Sequence, residues 1–154
     1  MTEPLNNYCT IYESPVGILY ISAQDDAIYR ISFDKPDLRQ TKTNTPALRQ
    51  LDEYFLKKRS AFDIKIAFKN ITPFQRQVYE SVLKIAYGDK KTYKWIANYI
   101  NKPKSARAVG QALKRNPLLI LVPCHRVIGE KGKLCGYNPD IKIKRWLLDH
   151  ESIT

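Results

Sequence analysis

The amino-acid sequence predicts an α/β protein in which an antiparallel sheet and one helix are followed by a mainly helical second half. Short runs rich in Ile, Tyr and Val, separated by turn signals, predict the sheet, and repeated helix start signals after residue 71 predict the helices. The charge changes at the same place, because residues 1–70 hold 10 Lys and Arg against 9 Asp and Glu, whereas residues 71–154 hold 16 against 6. At 154 residues, the chain can form one compact domain or two small packed lobes.

The first half begins with a predicted three-stranded antiparallel meander. A Ser-Pro-Val-Gly turn at residues 14–17 separates the first two strands, and Asp25-Asp26 separates the second strand from the third, AIYRISF. The alternating segment FDIKIAF, residues 62–68, predicts one more strand or an extended linker. Between the meander and this segment, apolar residues at helical spacing predict a helix that covers one face of the sheet. These residues are Leu48, Leu51, Tyr54 and Phe55.

The second half opens with a capping box, in which Thr72 caps a helix, Pro73 fits its first position and Gln75 completes the box. The helix is predicted to end at Gly88, and its apolar stripe consists of Phe74, Val78, Val82 and Ile85.

Two further start signals, at Thr92 and Ser105, predict a pair of short helices in a helix-turn-helix pattern. The second helix is rich in small residues, and two interpretations are open for them. They allow close packing against a neighbouring helix, or they form a smooth surface on which the helix backbone approaches nucleic acid while Arg107 projects from the first turn.

A cysteine and a histidine stand side by side after the apolar run LLILV. This run, residues 118–122, has no alternation and is flanked by prolines, which predicts a strand buried on both faces. Buried cysteine is commonly a small hydrophobe, but His125 and Arg126 next to Cys124 favour a reactive thiol, because a neighbouring imidazole or cation promotes the thiolate. A bridging water or a sharp turn after Pro123 is needed to couple the two side chains, which point apart in an extended chain.

A histidine that acts as a base needs an acceptor to orient it, and Glu151, at the end of the predicted helix IKIKRWLLDHE, is one candidate. The spacing does not separate it from Asp149, Asp140 or Glu130. Zinc binding is disfavoured, because four ligands require Cys124, His125, Cys135 and His150 to converge without any C-x-x-C or H-x-x-x-H spacing.

The composition and the apolar runs of the sequence indicate where the protein is located and which kinds of partner it binds. Three irregularly spaced cysteines and an N-terminus without a signal-peptide pattern predict a reducing, cytoplasmic environment. The longest apolar run is far shorter than the roughly 20 residues of a spanning helix, so no membrane span is expected. A basic half beside a near-neutral one is typical of phosphate binding, although solubility or an anionic membrane could use the same charge.

The segment ARAVGQALKRNPLLILVPCHRVIG, residues 106–129, strongly resembles the signature of the O6-alkylguanine-DNA alkyltransferases. Its Arg-Ala-Val-Gly, Asn-Pro and Pro-Cys-His-Arg-Val elements stand in the family order, and the resemblance extends from TPFQRQVY to WLLDHE and more loosely into the first half. It implies a ribonuclease-H-like α/β structural domain over residues 1–70 and a winged helix-turn-helix domain for DNA binding and alkyl transfer over residues 71–154.

The resemblance implies a single-turnover DNA repair methyltransferase that flips out a guanine alkylated at O6, with O4 of thymine as a further possible site. Cys124 is then the nucleophile and permanent alkyl acceptor, and His125 takes the thiol proton through a water while Glu151 holds the imidazole. Asn116 braces the turn before the cysteine, and Tyr93 helps to neutralise the departing guanine.

The same resemblance implies the contacts to double-stranded DNA bearing O6-alkylguanine. Arg107 fills the gap in the base stack, and the small face of its helix lies in the minor groove. The implied nucleic-acid-binding set is Thr92, Arg107, Ala108, Gly110, Arg115, Tyr137 and Asn138. Pro139 and Asp140 follow Asn138 where the family usually has a glycine pair, which favours methyl over bulky alkyl groups. No cofactor or metal is implied, and a monomer is expected.

Two other function classes fit parts of the pattern. A DNA-binding module without chemistry is disfavoured by the presence of Cys124. A redox-sensing regulator would use Cys124 and Cys135, with reversible oxidation and a disulfide between them as its marks.

Overall fold

The computed structural model describes residues 6–41, 45–134 and 140–152. The chain divides into two compact units, Met1–Lys69 and Asn70–Thr154. Among the residues that the model describes, no helix has the length and apolar character that crossing a membrane requires.

The first unit is built on a four-stranded sheet of order β3-β2-β1-β4. Its strands are β1 (Asn7–Ser14), β2 (Gly17–Gln24), β3 (Ala27–Ser32) and β4 (Gln40–Thr41). The predicted antiparallel meander is formed by β1, β2 and β3, with turns in which Gly17 and Asp25 adopt positive φ. The short strand β4 lies in the polar segment between β3 and the first helix, and it pairs in parallel with β1.

Helix α1 (Pro46–Phe55) carries the predicted apolar face of the first unit. The side chain of Thr45 caps it by accepting from Leu48 N, and the ring of Phe55 stacks on Tyr12 of β1 at 6.0 Å between centroids. The segment FDIKIAF forms no regular strand and makes one parallel bridge, from Ile66 to Ile28 of β3. It is therefore closer to the extended linker than to the strand of the two predicted alternatives.

The second unit contains four helices and one two-stranded parallel sheet among its described residues. The helices are α2 (Pro73–Val82), α3 (Tyr93–Tyr99), α4 (Ala106–Lys114) and α5 (Ile141–Glu151), and the strands are β5 (Lys91–Thr92) and β6 (Val127–Ile128). The predicted capping box of α2 is present, since Thr72 accepts from Gln75 N while Gln75 accepts from Thr72 N. The helix ends at Val82 and not near Gly88, because turn bonds from Lys84 N and Ile85 N close the chain after it.

The predicted buried strand at residues 118–122 is wrong, although all five residues are buried. The segment is a compact turn in which Val122 N donates to Leu118 O and Ile120 adopts φ 73°. A residue in the left-handed region cannot continue a pleated strand. The carbonyls of Leu118 and Val122 accept instead from the side-chain amide of Asn116, so burial without a sheet leaves them satisfied.

Candidate active site

The side chain of Asn116 organises the chain that leads to the cysteine. Its amide nitrogen donates to Val122 O at 2.9 Å, and its amide oxygen accepts from Leu118 N at 2.9 Å. The same nitrogen lies 3.1 Å from Cys124 Sγ. One buried amide therefore closes the turn and also points an N–H donor at the sulfur.

Cys124 begins a single 3₁₀ turn, Cys124–Arg126, so the sharp turn expected after Pro123 is present. The residue is 3 % exposed, and burial raises the pKa of its thiol from an ordinary value of 9.0 to about 11. The Asn116 amide and the charge of Lys144 act in the opposite direction but do not outweigh burial. The resting side chain at neutral pH is thus a protonated thiol.

His125 and Glu151 form a fully buried pair. His125 Nε2 lies 2.9 Å and 3.0 Å from the two carboxylate oxygens of Glu151. Arg126 binds the same carboxylate through Nε at 2.8 Å and Nη2 at 2.7 Å, and its Nη1 donates to Ile85 O at 2.7 Å. The guanidinium thus joins the carboxylate to the segment after α2.

The contacts of His125 define its tautomer. A carboxylate only accepts hydrogen bonds, so Nε2 carries the proton and Nδ1 presents a lone pair. Burial lowers the pKa of His125, although Glu151 acts to raise it, and the ring is therefore neutral. Burial acts to raise the pKa of Glu151, but hydrogen bonds from Arg126 and His125 lower it to about 2. Within the described part of the chain, His125 Nδ1 is buried without a hydrogen-bond partner.

Lys144 is a buried cation of this site that the sequence reasoning missed. It lies on α5 with no exposed surface, and its Nζ donates to Val127 O and approaches Tyr93 Oη at 3.5 Å. Burial, the largest cause at both residues, raises the pKa of Cys124 and lowers that of His125. The charge of Lys144 makes a smaller contribution, which opposes burial at Cys124 and adds to it at His125. The sequence reasoning treated Arg126 only as a cation next to Cys124 and did not predict its contact with Glu151. The sequence did carry a signal for Lys144, because it shares the i, i+3, i+4, i+7 stripe of α5 with Leu147, Leu148 and Glu151.

A concave surface of about 760 Å³ lies along α4 and the start of α3. Four predicted nucleic-acid or catalytic residues line it, namely Thr92, Tyr93, Arg107 and Gly110. Its other lining residues are Lys94, Pro103, Ala106, Gln111, Lys114 and Glu130. A Cβ placed on Gly110 would lie at an ordinary contact distance of 3.8 Å from the Tyr93 ring, so α4 passes close beside this ring. Basic side chains and small residues therefore share one concave face.

The other residues predicted to bind nucleic acid either do not line that concave surface or lie outside the residues that the structure describes. Ala108 and Arg115 are exposed and do not line it. Tyr137 and Asn138, with Cys135, lie outside the described residues.

The three other acidic residues considered as the acceptor for His125 lie elsewhere. Asp140 caps α5 by accepting from Lys142 N, Asp149 is exposed on α5, and Glu130 lies in the turn after β6. The described residues contain no cluster of three or more His, Cys, Asp or Glu that could hold a metal ion.

The first unit is built on a sheet, and the second, helical unit contains a buried thiol, a neutral imidazole and a carboxylate. This set of side chains is typical of a protein that transfers a group to a cysteine. The basic concave face indicates that the partner is a nucleic acid. Comparison with known families agrees with this class. Residues 73–153 match the model of the 6-O-methylguanine DNA methyltransferase DNA-binding domain, and residues 7–68 match the ribonuclease-like domain of the same family. The chain belongs to the 6-O-methylguanine DNA methyltransferase family.

Individual relatives cover nearly the whole chain. A methylated-DNA–protein-cysteine methyltransferase of Methanosarcina acetivorans is 40% identical over 153 residues, covering 94% of this chain and 97% of the relative. The constitutive enzyme of that name from Bacillus subtilis is 41% identical over 161 residues, covering 96% and 97%. The crystal structure of Mycobacterium tuberculosis OGT in complex with DNA superposes with a TM-score of 0.88 at 35% identity, covering 94% and 92%.

Proposed function

We propose that this protein repairs DNA by transferring an alkyl group, preferentially methyl, from O6 of guanine in a duplex to Cys124 Sγ, irreversibly and once per chain. The observation that carries the proposal is the buried thiol next to the neutral His125, which Glu151 orients. The names of the Methanosarcina and Bacillus relatives support the same chemistry. O4 of alkylated thymine presents a similar imidate ether and is a further candidate substrate.

The proton leaves the thiol towards His125. A water placed between Cys124 Sγ and His125 Nδ1 carries it, which gives the buried Nδ1 the partner that such atoms require. The imidazolium that forms is stabilised by the Glu151 carboxylate, itself held by Arg126. The Asn116 amide supports the sulfur anion through its 3.1 Å contact.

The departing guanine takes the bonding electrons of the broken carbon–oxygen bond, so negative charge develops on the base. Tyr93 donates a hydrogen bond to that base, and Lys144, 3.5 Å from the Tyr93 hydroxyl, favours the charge. Atoms and charge balance: sulfur gains the alkyl group, His125 gains the thiol proton, and the guanine leaves as an anion whose charge is balanced by the imidazolium and stabilised by the hydrogen bond from Tyr93.

The duplex binds along α4. Arg107 fills the gap that the flipped guanine leaves in the base stack, while the faces of Ala108 and Gly110 allow the helix into the minor groove. Thr92, Arg115, Tyr137 and Asn138 complete the contacts in this proposal. Flipping costs a few kcal/mol, and phosphate contacts of the basic second half offset that cost.

The finer architecture belongs to the same proposal. Residues 1–70 form a ribonuclease-H-like structural domain, and residues 71–154 form a winged helix-turn-helix in which β5, β6 and the turn after β6 make the wing. The protein works as a monomer in the cytoplasm without a cofactor.

Peptide mass after reaction with damaged DNA tests the function directly. Trypsin releases Cys124 in the peptide of residues 116–126, apart from Cys9 and from Cys135. Incubation with a duplex bearing O6-methylguanine should add one methyl, about 14 Da, to that peptide alone, with one methyl per chain. The peptide with Cys135 serves as the internal control.

Variants separate this function from its two competitors. Cys124→Ser should retain duplex affinity and lose transfer. If the unsubstituted chain binds the duplex but the peptide mass does not change, the protein is a binding module and the proposal fails. A reversible disulfide between Cys124 and Cys135, without methyl transfer, would instead support redox sensing.

A further inference from the structure

A second, smaller depression of about 380 Å³ lies beside the turn that follows β6. Its charged lining consists of Lys90, Lys131, Lys133 and Arg145, with one carboxylate, Asp149. Three separate segments contribute these cations: the residue before β5, the 3₁₀ turn Glu130–Gly132 with the residue after it, and α5. Their convergence is therefore a product of the fold and does not follow from a basic stretch of sequence.

Backbone pairing fixes the position of two of these segments. The parallel pairing of β5 with β6 joins Lys91 to Val127, which holds the preceding Lys90 next to the chain that enters the turn. Lys91 itself points elsewhere, because its Nζ lies 4.9 Å from the centroid of the Trp95 ring. Lys90 thus lines the depression, whereas its neighbour Lys91 lies against the Trp95 ring.

The turn is closed by its own hydrogen bonds. Gly129 N donates to Lys133 O at 2.7 Å, and Gly132 N donates to Gly129 O at 3.2 Å. Lys131 takes a left-handed conformation with φ 59°, which an unbranched lysine tolerates at a cost. This closed backbone presents Lys131 and Lys133 to the same depression.

The charge of the depression is poorly balanced within the protein. All four cationic residues are exposed, and none forms a salt bridge with a residue in the described part of the chain. Four like charges around one small volume repel each other, and Asp149 offsets one of them. A polyanion with closely spaced charges fits this surface better than a single carboxylate.

The position of the depression identifies the polyanion. Glu130 lines the concave face that contains Arg107, and the next residue, Lys131, lines the cationic depression, so one turn borders both surfaces. We infer that the depression binds the phosphodiester backbone of the DNA duplex on the flank of the lesion, beyond the segment that α4 covers. This inference rests on the proposed function and extends its DNA contacts to a site built from Lys90, Lys131, Lys133 and Arg145.

Salt dependence of duplex binding tests the inference. In Lys131→Ala/Lys133→Ala, the slope of log K against log salt should become shallower by about 1 to 2, since each lost phosphate contact removes about 0.9. The loss of affinity should be larger for a long duplex than for a short duplex that ends near the lesion. Arg145→Ala should lower the slope in the same direction.

Matched controls remove the same charge elsewhere. Lys58→Ala/Lys65→Ala changes two exposed lysines of the first unit, and Lys142→Ala changes an exposed lysine on the same helix as Arg145. If the depression variants have the slope of these controls, the inference is overturned, whether or not inorganic phosphate or an acidic protein binds there.

Methyl transfer by the unsubstituted chain separates this result from the proposed function. If Cys124 accepts the methyl group of free O6-methylguanine, which has no phosphate, a failed slope test overturns the flanking contact alone. If it accepts none from either substrate, the function itself fails.

Discussion

Replacing Glu151 with Gln should destabilise the protein by removing the charge that pairs with a buried guanidinium. Glu151 is 1 % exposed and accepts from both Arg126 and His125. The amide keeps the shape of the carboxylate but can compensate neither the charge of Arg126 nor that of a protonated His125. Arg126 is left as a buried cation without a counterion in this cluster.

Two lines of reasoning give the same magnitude. The pKa of Glu151 falls from 4.5 to about 2 in the folded protein. Since each pKa unit corresponds to about 1.4 kcal/mol, the folded state gains roughly 3 kcal/mol from the ionised carboxylate. Removal of one partner from a buried ion pair typically costs about 3–5 kcal/mol. We therefore expect Glu151→Gln to lower the free energy of unfolding at pH 7 by about 3 kcal/mol.

The sign of the pH dependence follows from the depressed pKa. The contribution of Glu151 is fully present above its unfolded value of 4.5, and it is lost as pH falls towards about 2. The difference between the unsubstituted protein and Glu151→Gln should therefore be largest at neutral pH and shrink between pH 4.5 and pH 2.

Urea unfolding at pH 7, 5 and 3 measures this difference. Asp149→Asn is the matched control, because Asp149 is an exposed carboxylate on the same helix and its change should alter the free energy of unfolding by less than about 0.5 kcal/mol. A Glu151→Gln effect that equals the control at pH 7, or that stays constant down to pH 3, would refute the reasoning.

One labelling experiment and three substitutions probe the thiol, its surroundings and the DNA face. Labelling of the Cys124 peptide by iodoacetamide should be slow at pH 7 and accelerate towards pH 11, and fast labelling at neutral pH would contradict a buried protonated thiol. Asn116→Ala should cost about 3 kcal/mol in urea unfolding, because buried backbone groups lose their partner, whereas the exposed Asn98→Ala should cost far less. Lys144→Met should move the labelling profile to higher pH, since it removes a charge that favours the thiolate, and an unmoved profile would exclude this role. Arg107→Ala should weaken transfer from the duplex far more than transfer from the free base, and equal losses would refute its role in the base stack.

The elements with local signals were predictable from the sequence, and the segment before the cysteine was not. The meander, α1, the capping box and the start of α3 follow from turn residues, caps and periodicity, which act within a few residues. The run LLILV has the composition of a buried strand, but Asn116 supplies hydrogen bonds that a sheet would otherwise provide. The composition of a segment indicates that it is buried, but it does not indicate which group forms hydrogen bonds with its buried backbone atoms.

The site shows the same limit at longer range. The choice of Glu151 over Asp149, Asp140 and Glu130 rested on resemblance, because the sequence alone left the four equal. The contact depends on the docking of α5 against the 3₁₀ turn of the cysteine, which turns one face of the helix towards His125. A helical stripe predicts which residues share a face, but the partner of that face is a property of tertiary packing.

The protonated thiol ties the chemistry of the site to substrate binding. Burial raises the pKa of the Cys124 thiol to about 11, so the side chain is almost entirely protonated at pH 7. A permanently ionised cysteine would be open to oxidation and to adventitious alkylation, which a single-turnover protein cannot reverse. In the proposed function, His125 takes the proton because the Glu151 carboxylate stabilises the imidazolium. Hydrogen bonds from Arg126 and His125 hold the pKa of Glu151 at about 2, so this carboxylate stays ionised. In the proposed function, the thiolate therefore forms only when its proton passes to His125, and Arg126 contributes indirectly by fixing the Glu151 carboxylate.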